Sequence, residues 1–243
     1  MPHMNLTILR FKKLFAALTT KENRRALRFG VAPSIEHNCS FAGLEYKTIV
    51  DIGANKGQFA LFARQQFPKA QIISFEPLKA ASNIYATIFA DDRRARLFKV
   101  AVGPHDGDAE LFVTRDNDAS SFFKPSSDGE ALFGITVAGI ERVPMVPLHQ
   151  KIAAADIQRP ALLKLDVQGF ELDALQGCAE LLSSFDQIYV EVSFVEVYAG
   201  QPLASAIIAW LSDRKFMLRG VFNQVVDQAR RPIQADMLFA RTG

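Results

Sequence analysis

Two acidic residues flank a glycine-containing turn near residue 50. Asp51 lies in a β-branched run that ends at Gly53, Gly57 closes the turn before a helical pattern, and Glu76 follows a second apolar run. A carboxylate about 20 residues beyond a glycine turn suits the hydroxyl groups of a ribose. An acid at the end of a strand favours a ligand with a positive charge, such as an ammonium or sulfonium group. Together these preferences point to S-adenosylmethionine as the ligand.

The glycine spacing distinguishes this turn from a dinucleotide-binding turn. A dinucleotide fingerprint has the pattern G-x-G-x-x-G, whereas here the two glycines are four residues apart and Asn55 occupies the place of the middle glycine. The close backbone approach that a pyrophosphate needs is therefore not encoded. Two alternatives stay open: an NAD(P)-dependent Rossmann oxidoreductase, and a cofactor-binding protein that serves a complex without catalysis.

Three titratable residues could remove a proton from an acceptor. Asp166 ends a predicted strand, Glu191 lies near the end of the next, and His149 opens a predicted helix whose start should face the same edge of the sheet. Histidine has the unperturbed pKa best matched to neutral pH, whereas a carboxylate would need its pKa raised by burial. Each also has a structural interpretation: a helix cap for Asp166, a core ion pair for Glu191 and an ordinary helix start for His149. For Glu171 and Glu196 we expect exposure to solvent.

Composition restricts the class of protein. The 243 residues are 49% hydrophobic with a net charge of +2 (28 basic minus 26 acidic), which suits one α/β domain and gives no field that would favour nucleic acid or a membrane. Cys39 and Cys178 lie far apart, which is typical of reduced thiols in a cytoplasmic protein. We expect no metal site, because no group of ligating residues has the spacing of one. No apolar run of about 18 residues predicts a spanning helix.

The candidate residues require a parallel sheet that brings strand ends together. Apolar runs alternate with helical patterns up to residue 103, and the alternation resumes after residue 148. This order predicts an α/β fold with a Rossmann-like, mostly parallel sheet. Seven strands are predicted, at 48–52, 71–75, 96–102, 161–166, 187–192, 216–221 and 236–240. A short polar connection joins the last two, so the last strand should be antiparallel.

Two segments lie outside this alternation. Residues 1–43 are predicted to form a helical extension and linker before the main domain, 44–243, with a basic amphipathic helix over 6–29. We expect that helix to cover the domain, and contact with an anionic membrane is the less favoured interpretation. Residues 103–148 form a β-rich insert with a polar loop at 117–134 and an extended piece at 142–148, whose prolines predict an edge strand. An insert of this length suits a lid or an acceptor-specificity element.

Four sequence blocks occur in order along the chain: V-D-I-G-A-N-K-G (50–57), S-F-E-P (74–77), K-V-A-V-G (99–103) and L-L-K-L-D-V-Q-G-F-E-L-D-A-L-Q-G (162–177). Together they resemble the FkbM family of S-adenosylmethionine-dependent methyltransferases, and the closing Q-A-D-M-L-F (234–239) is similar to one branch of that family. The resemblance covers about residues 47–240. It implies a seven-stranded methyltransferase sheet and methyl transfer to an oxygen of a sugar or natural-product acceptor.

The resemblance also implies roles for individual residues. The glycine turn would hold the methionine end of the cofactor with Asp51 at its base, Glu76 would bind the ribose, and the residues after it would flank the adenine. The cofactor-binding candidates are Asp51, Gly53, Ala54, Asn55, Gly57, Phe59, Glu76, Pro77, Leu78, Ala101 and Asp166, and the catalytic candidates are Asp166, Glu191 and His149. Gln168 stands where most members have glutamate, and His149 where most have aspartate.

Overall fold

The computed structural model describes residues 20–115 and 118–242. Most of the amphipathic helix predicted over 6–29 lies outside these residues. Its described part is helix α1, Lys21–Leu27, with Thr20 as the N-cap. Arg25 donates to the carbonyl oxygen of Ile88 and pairs with Asp91, so α1 packs against the domain.

The central sheet has the seven strands that the sequence predicts. They are β1 (Thr48–Ile52), β2 (Gln71–Phe75), β3 (Ala95–Phe98), β7 (Ala161–Leu165), β8 (Gln187–Ser193), β9 (Phe216–Val226) and β10 (Pro232–Arg241). Their order is β3-β2-β1-β7-β8-β10-β9. The first five in this order are parallel, and β10 is antiparallel to β8 and β9. The predicted α/β, Rossmann-like sheet with an antiparallel last strand is confirmed.

Helices cover both faces of this sheet. Helices α2 (Gln58–Gln66) and α3 (Lys79–Ile88) pack on one face, and α5 (Glu171–Gly177) and α6 (Ala204–Ser212) pack on the other. All five residues of β1 and all five of β7 are buried, because each strand is covered on both faces. The continuous apolar runs that predicted these two strands are a consequence of that burial.

The insert, together with the two residues before it, forms a second, three-stranded sheet. Its strands are β4 (Ala101–Val102), β5 (Gly107–Thr114) and β6 (Val137–Val146), in the order β4-β6-β5. Helix α4 (Ser127–Phe133) lies between β5 and β6 in the chain. The prediction of an edge strand is wrong, because β6 lies between β4 and β5. Strand β4 pairs only with Met145 and Val146, the last two residues of β6, so Pro144 has no partner on the β4 side. The segment predicted as a polar loop, 117–134, is only partly a loop, because it contains α4. Ser126 caps this helix by accepting from the backbone N–H of Gly129.

Three further predictions about local structure are corrected. The third strand, predicted over 96–102, is divided after Phe98, and its second part joins the insert. The helix predicted from His149 is replaced by two short 3₁₀ turns, Leu148–Gln150 and Ala154–Asp156. The segment 30–43, predicted as a linker, contains the 3₁₀ helix Ile35–Cys39 and packs on the sheet with Phe41 fully buried. Within the described residues, no helix is both long and apolar enough to cross a membrane.

Candidate active site

A cavity opens at the carboxyl ends of β1, β2 and β7, beneath the insert. The insert contributes Leu111, Asp118, Ser120 and Phe122 to its wall. Seven of the candidate residues also line it: Gly53, Asn55, Glu76, Pro77, Leu78, Ala101 and Asp166. Apolar side chains and carboxylates therefore both line the cavity, a combination typical of small-molecule sites.

The glycine turn joins three strands at this edge. The backbone N–H groups of Gly53 and Ala54 both donate to the carbonyl oxygen of Phe75, at 3.0 Å. Gly53 has a φ of +80°, and a Cβ atom there would lie 1.9 Å from the carbonyl oxygen of Asp166. Only glycine allows β1 to approach the end of β7 so closely. Asn55 adopts a φ of 47°, a left-handed conformation that asparagine tolerates better than most residues.

Two backbone donors hold Glu76 at the floor of the cavity described above, the first of three. Its Oε2 accepts from the N–H of Asn55 and its Oε1 from the N–H of Leu78, both at 2.8 Å. Burial raises the pKa of Glu76 to about 7, although these two hydrogen bonds oppose the rise. Each carboxyl oxygen keeps a further lone pair, so Glu76 can accept from two hydroxyl groups of a ligand as well.

Asp51 lies below the cavity and does not line it. It is fully buried, and Lys164 Nζ lies 3.1 Å from its Oδ1. Lys164 Nζ also lies 3.7 Å from Asp166 Oδ2 and 5.3 Å from the ring centroid of Phe59. Burial alone would lower the pKa of Lys164, but Asp51 and Asp166 raise it, so the lysine stays charged. Lys164 was not among the residues predicted for the site; the signal for it was a lysine within an apolar strand, in register with an acid on the neighbouring strand.

A second cavity of about 280 Å³ adjoins the first on the other side of the glycine turn. It shares Gly53, Asn55, Asp118 and Asp166 with the first cavity. Its other lining residues are Ala32, Ser34, Glu36, His37, Ala54, Gln58, Phe59 and Lys164. Within the described chain, Asn55 Oδ1 and Gln58 Oε1 are buried without a hydrogen-bond partner. Two such acceptors in one cavity favour a ligand that donates hydrogen bonds there.

His37 reaches the second cavity from the segment that the sequence predicted as a linker. Its Nδ1 lies 3.0 Å from the hydroxyl oxygen of Tyr189 and 3.4 Å from Asp236 Oδ2. Tyr189 and Asn223 also donate to Asp236 Oδ2, at 2.9 and 2.7 Å. Burial opposes ionisation of Asp236, but His37 and these two donors hold its pKa below the usual value. No local pattern in the sequence identifies His37, because its partners lie more than 150 residues away.

Asp166 and Glu191 come together at the ends of β7 and β8. Gln168 Nε2 donates to Asp166 Oδ1 at 2.8 Å and to Glu191 Oε2 at 3.2 Å. Burial, and then the charges of Asp166, Asp236 and Glu171, raise the pKa of Glu191 well above its ordinary value. Glu191 therefore keeps its proton at a higher pH than an ordinary glutamate does.

Glu171, which the sequence predicted to be exposed, is 2% exposed. Its Oε1 accepts from the backbone N–H groups of Val167 and Gly169, both at 3.1 Å. The helix that follows begins at Glu171 with Phe170 at the N-cap position, so the structural interpretation of Asp166 as its cap is wrong. Glu196 is exposed, as expected.

The structure does not bring His149 to this edge of the sheet. His149 Nδ1 lies 3.3 Å from Glu180 Oε1, and His149 lines none of the cavities described here. The expected helix would have started at the ligand edge, but no such helix forms. Gly57 also lines neither of the two cavities beside the glycine turn; it is the N-cap of α2, and a Cβ atom there would lie 2.9 Å from the ring of Phe89. The described residues contain no group of three or more His, Cys, Asp or Glu side chains that could hold a metal ion.

A third cavity, of about 300 Å³, separates the insert from the ends of β8 and β10. The insert contributes Thr114, Arg115, Ala119, Phe133, Gly134, Ile135 and Thr136, and the sheet side contributes Gln168, Val197 and Gln234. Phe133 is 41% exposed, so an aromatic ring is available at the rim. The amides of Gln168 and Gln234 both contact Glu191, which connects this cavity to the acidic pair.

Comparison with known protein families gives one match to most of this chain. The model of the methyltransferase FkbM domain matches residues 51–218. The 2-O-methyltransferase NoeI of Sinorhizobium fredii is 29% identical over 201 residues, which cover 80% of this chain and 79% of the relative.

Solved structures show a weaker likeness. Magnesium protoporphyrin IX methyltransferase from Synechocystis, solved with bound SAM, is 9% identical, with a TM-score of 0.48 over 100% of this chain and 86% of the other. An uncharacterised protein from Listeria monocytogenes is 10% identical, with a TM-score of 0.49 over 93% of this chain and 68% of the other. At these scores the likeness carries no information about the activity.

Proposed function

This chain belongs to the FkbM family of methyltransferases, and we propose that it transfers the methyl group of S-adenosylmethionine to a hydroxyl group of a sugar or natural-product small molecule. The family match makes the oxidoreductase alternative wrong, since the matched domain is a methyltransferase domain. The name of the relative NoeI, a 2-O-methyltransferase, supports oxygen as the atom that is methylated.

The position of Glu76 is the observation that carries the proposal. Its carboxyl group is fixed by two backbone donors at the floor of the first cavity and retains lone pairs for a ribose diol. The apolar side chains of Phe75, Leu78, Ala101 and Leu111 line the same cavity and offer surfaces to a flat adenine ring. The first cavity therefore suits the adenosine part of the cofactor.

The second cavity suits the amino-acid end of the same cofactor. Buried Asn55 Oδ1 and Gln58 Oε1 can accept from its ammonium group, which satisfies two otherwise unpaired oxygens. Lys164 and His37 line the same cavity and can face its carboxylate. The glycine turn separates the two cavities, so a ligand that occupies both passes along the turn.

Asp166 lies where the two cavities meet. When bound, S-adenosylmethionine supplies an electrophilic methyl group on a positively charged sulfur. The half-exposed carboxylate of Asp166 can accept a hydrogen bond from an acceptor hydroxyl, orient it and take its proton. Burial and nearby carboxylates raise the pKa of Glu191, but Glu191 lines none of the three cavities and is therefore a weaker candidate for the base than Asp166.

The third cavity suits the acceptor. Amide and hydroxyl side chains there can pair with the hydroxyl groups of a sugar, and the exposed ring of Phe133 offers a flat surface to the face of a sugar ring. Through Gln168 this cavity lies beside the acidic pair that would receive the acceptor proton. The insert then acts as the acceptor-specificity element that the sequence predicts.

Calorimetry with S-adenosylhomocysteine and NAD tests the cofactor assignment. We expect S-adenosylhomocysteine to bind and NAD not to bind. Glu76→Gln should weaken binding of S-adenosylhomocysteine by about 10- to 100-fold, because a charged acceptor of two hydroxyl groups is lost. The control Glu141→Gln changes an exposed glutamate of β6 and should leave the affinity unchanged. Equal affinity of the wild type and Glu76→Gln would refute the ribose assignment.

A panel of methyl glycosides and hydroxylated small molecules tests the catalytic part. Incubation with S-adenosylmethionine should release S-adenosylhomocysteine with at least one acceptor, and Asp166→Asn should reduce that rate more than it reduces cofactor affinity. Tight cofactor binding without turnover across the whole panel would favour the non-catalytic alternative.

A further inference from the structure

Gln168 holds an unusual position between the acidic pair and the insert. It adopts a φ of 54°, a left-handed conformation that costs a residue other than glycine free energy. Its backbone carbonyl accepts from Ser121 Oγ of the insert, and its side chain extends to both Asp166 and Glu191. A strained residue with this many contacts is held by its surroundings.

Tyr198 contacts the side-chain oxygen of Gln168. The hydroxyl oxygen of Tyr198 lies 2.9 Å from Gln168 Oε1 and 2.9 Å from the carbonyl oxygen of Ala119 in the insert. Both neighbours are acceptors in this arrangement, so they share the single proton of the hydroxyl. Burial, and then Glu191, Glu171 and Asp166, raise the pKa of Tyr198, so its hydroxyl keeps the proton that it donates.

The two acids favour one orientation of the amide. With Nε2 toward the acids, it donates to Asp166 and Glu191 while Oε1 lies within hydrogen-bond distance of the Tyr198 hydroxyl. The reversed amide would place its oxygen against the oxygens of two carboxyl groups, whereas the Tyr198 hydroxyl can pair with either end of the amide. The acids therefore favour the orientation in which one NH₂ group bridges them, and Tyr198 holds the amide oxygen.

Other charged groups lie around Glu191 and also influence its pKa. Lys164 and Asp166 approach from β7, Glu171 from α5 and Asp236 from β10. Three of these four are carboxyl groups, so donors near Glu191 have a large effect on how easily it ionises. Gln168 and Gln234 are the two side-chain donors to Glu191 in the described chain.

We propose that Gln168 is a positioning residue that bridges Asp166 and Glu191 through one amide NH₂ group, and that Tyr198 and the insert hold it in place. The proposal rests on the proposed function, because Asp166 is the acid assigned there to the acceptor hydroxyl. It gives the insert a second role, since the segment that borders the acceptor cavity also holds the residue that bridges the two acids.

Carbon NMR titration of Glu191 tests this bridge without any acceptor. Protein with ¹³C-labelled glutamate is titrated with pH, and the Glu191 signal is assigned with Glu191→Gln. Gln168→Asn keeps an amide and tolerates the left-handed backbone, but it is one methylene too short for the bridge. Because a donor to the ionised carboxylate is lost, the Glu191 midpoint should rise by about one pH unit.

Tyr198→Phe removes only the hydroxyl and should raise the same midpoint by a smaller amount. Tyr46→Phe is the matched control, because Tyr46 is also buried and donates to the side chain of a glutamine, Gln187, at the opposite edge of the sheet. It should leave the midpoint unchanged. In the double variant Gln168→Asn/Tyr198→Phe, the second change should add no shift, because Tyr198 acts through Gln168.

Three results would overturn the proposal: an unchanged Glu191 midpoint in Gln168→Asn, an equal shift in Tyr46→Phe and Tyr198→Phe, or additive shifts in the double variant. Binding of S-adenosylhomocysteine to the wild type is measured alongside. If that binding is absent while the midpoints shift as expected, the proposed function fails and the bridge stands.

Discussion

Lys164 is the residue on which the charge balance of the site depends. Its ammonium group lies between Asp51 and Asp166 and contacts the ring of Phe59. Asp51 has no exposed surface, and water therefore cannot solvate its charge. A buried carboxylate next to an ammonium group tolerates burial only while both partners are present.

We expect Lys164→Met to lower the free energy of unfolding by about 3 to 5 kcal/mol, because it leaves Asp51 buried without its cation. Urea unfolding followed by circular dichroism measures this loss. Lys124→Met is the control, since Lys124 is exposed and also lies over a ring, that of Phe112; it should change stability by about 0.5 kcal/mol or less. The double variant Asp51→Asn/Lys164→Met should recover part of the lost unfolding free energy, because no buried charge is then left unpaired. A loss below about 1 kcal/mol in Lys164→Met would show that Asp51 does not depend on its cation.

At the level of elements, the site depends on how closely β1 approaches β7. The turn after β1 passes within contact of the Asp166 backbone, and this approach places Asp166 beside the glycine turn. The same turn is tied to β2 by two hydrogen bonds to Phe75. Three strand ends and the two cavities are thus positioned by one short connection.

Gly53→Ala should separate these elements. A Cβ atom at residue 53 would meet the Asp166 carbonyl oxygen at 1.9 Å and would also require a left-handed φ. We expect a loss of more than about 2 kcal/mol in unfolding free energy and loss of S-adenosylhomocysteine binding. Gly139→Ala in β6 is the matched control, because no atom lies within 4 Å of its Cβ position; it should be neutral within about 1 kcal/mol. Normal cofactor affinity in Gly53→Ala would show that this close approach is not needed.

On the scale of the whole molecule, buried carboxyl groups make stability depend on pH. Burial raises the pKa of Glu171 and that of Glu76 to about 7, from an ordinary value of 4.5. Each group holds its proton more tightly in the folded chain than in the unfolded chain. Its contribution to stability is therefore complete below pH 4.5 and is lost as the pH rises through 7.

Glu171→Gln tests this dependence. The amide oxygen can still accept from Val167 and Gly169, while the ionisable group is gone. We expect the variant to match the wild type near pH 4.5 and to be more stable at pH 8 by on the order of 3 kcal/mol. Unfolding free energies measured by urea at several pH values would show the two curves diverging as pH rises. Parallel curves would mean that Glu171 ionises in the folded protein as easily as in the unfolded chain.

The sequence by itself determined the α/β class, the seven strands, the glycine turn and the placement of Glu76 and Asp166 at one edge of the sheet. These features follow from short-range patterns: an apolar run predicts a strand, a glycine predicts a turn, and parallel strands place their carboxyl ends together. The three-stranded insert was also visible as a change in this alternation. Its internal pairing was not, because the order of strands in a sheet depends on contacts between distant segments.

Only the tertiary structure decided which charged groups meet. His37 reaches the second cavity because the segment before β1 folds back onto the sheet, whereas His149 is excluded because the helix that would have positioned it does not form. Asp51 is buried beneath the site, Glu171 caps a turn, and Gln168 bridges two acids. Burial and ion pairing are properties of the packed chain, and residues far apart in sequence supply the partners that no local pattern contains.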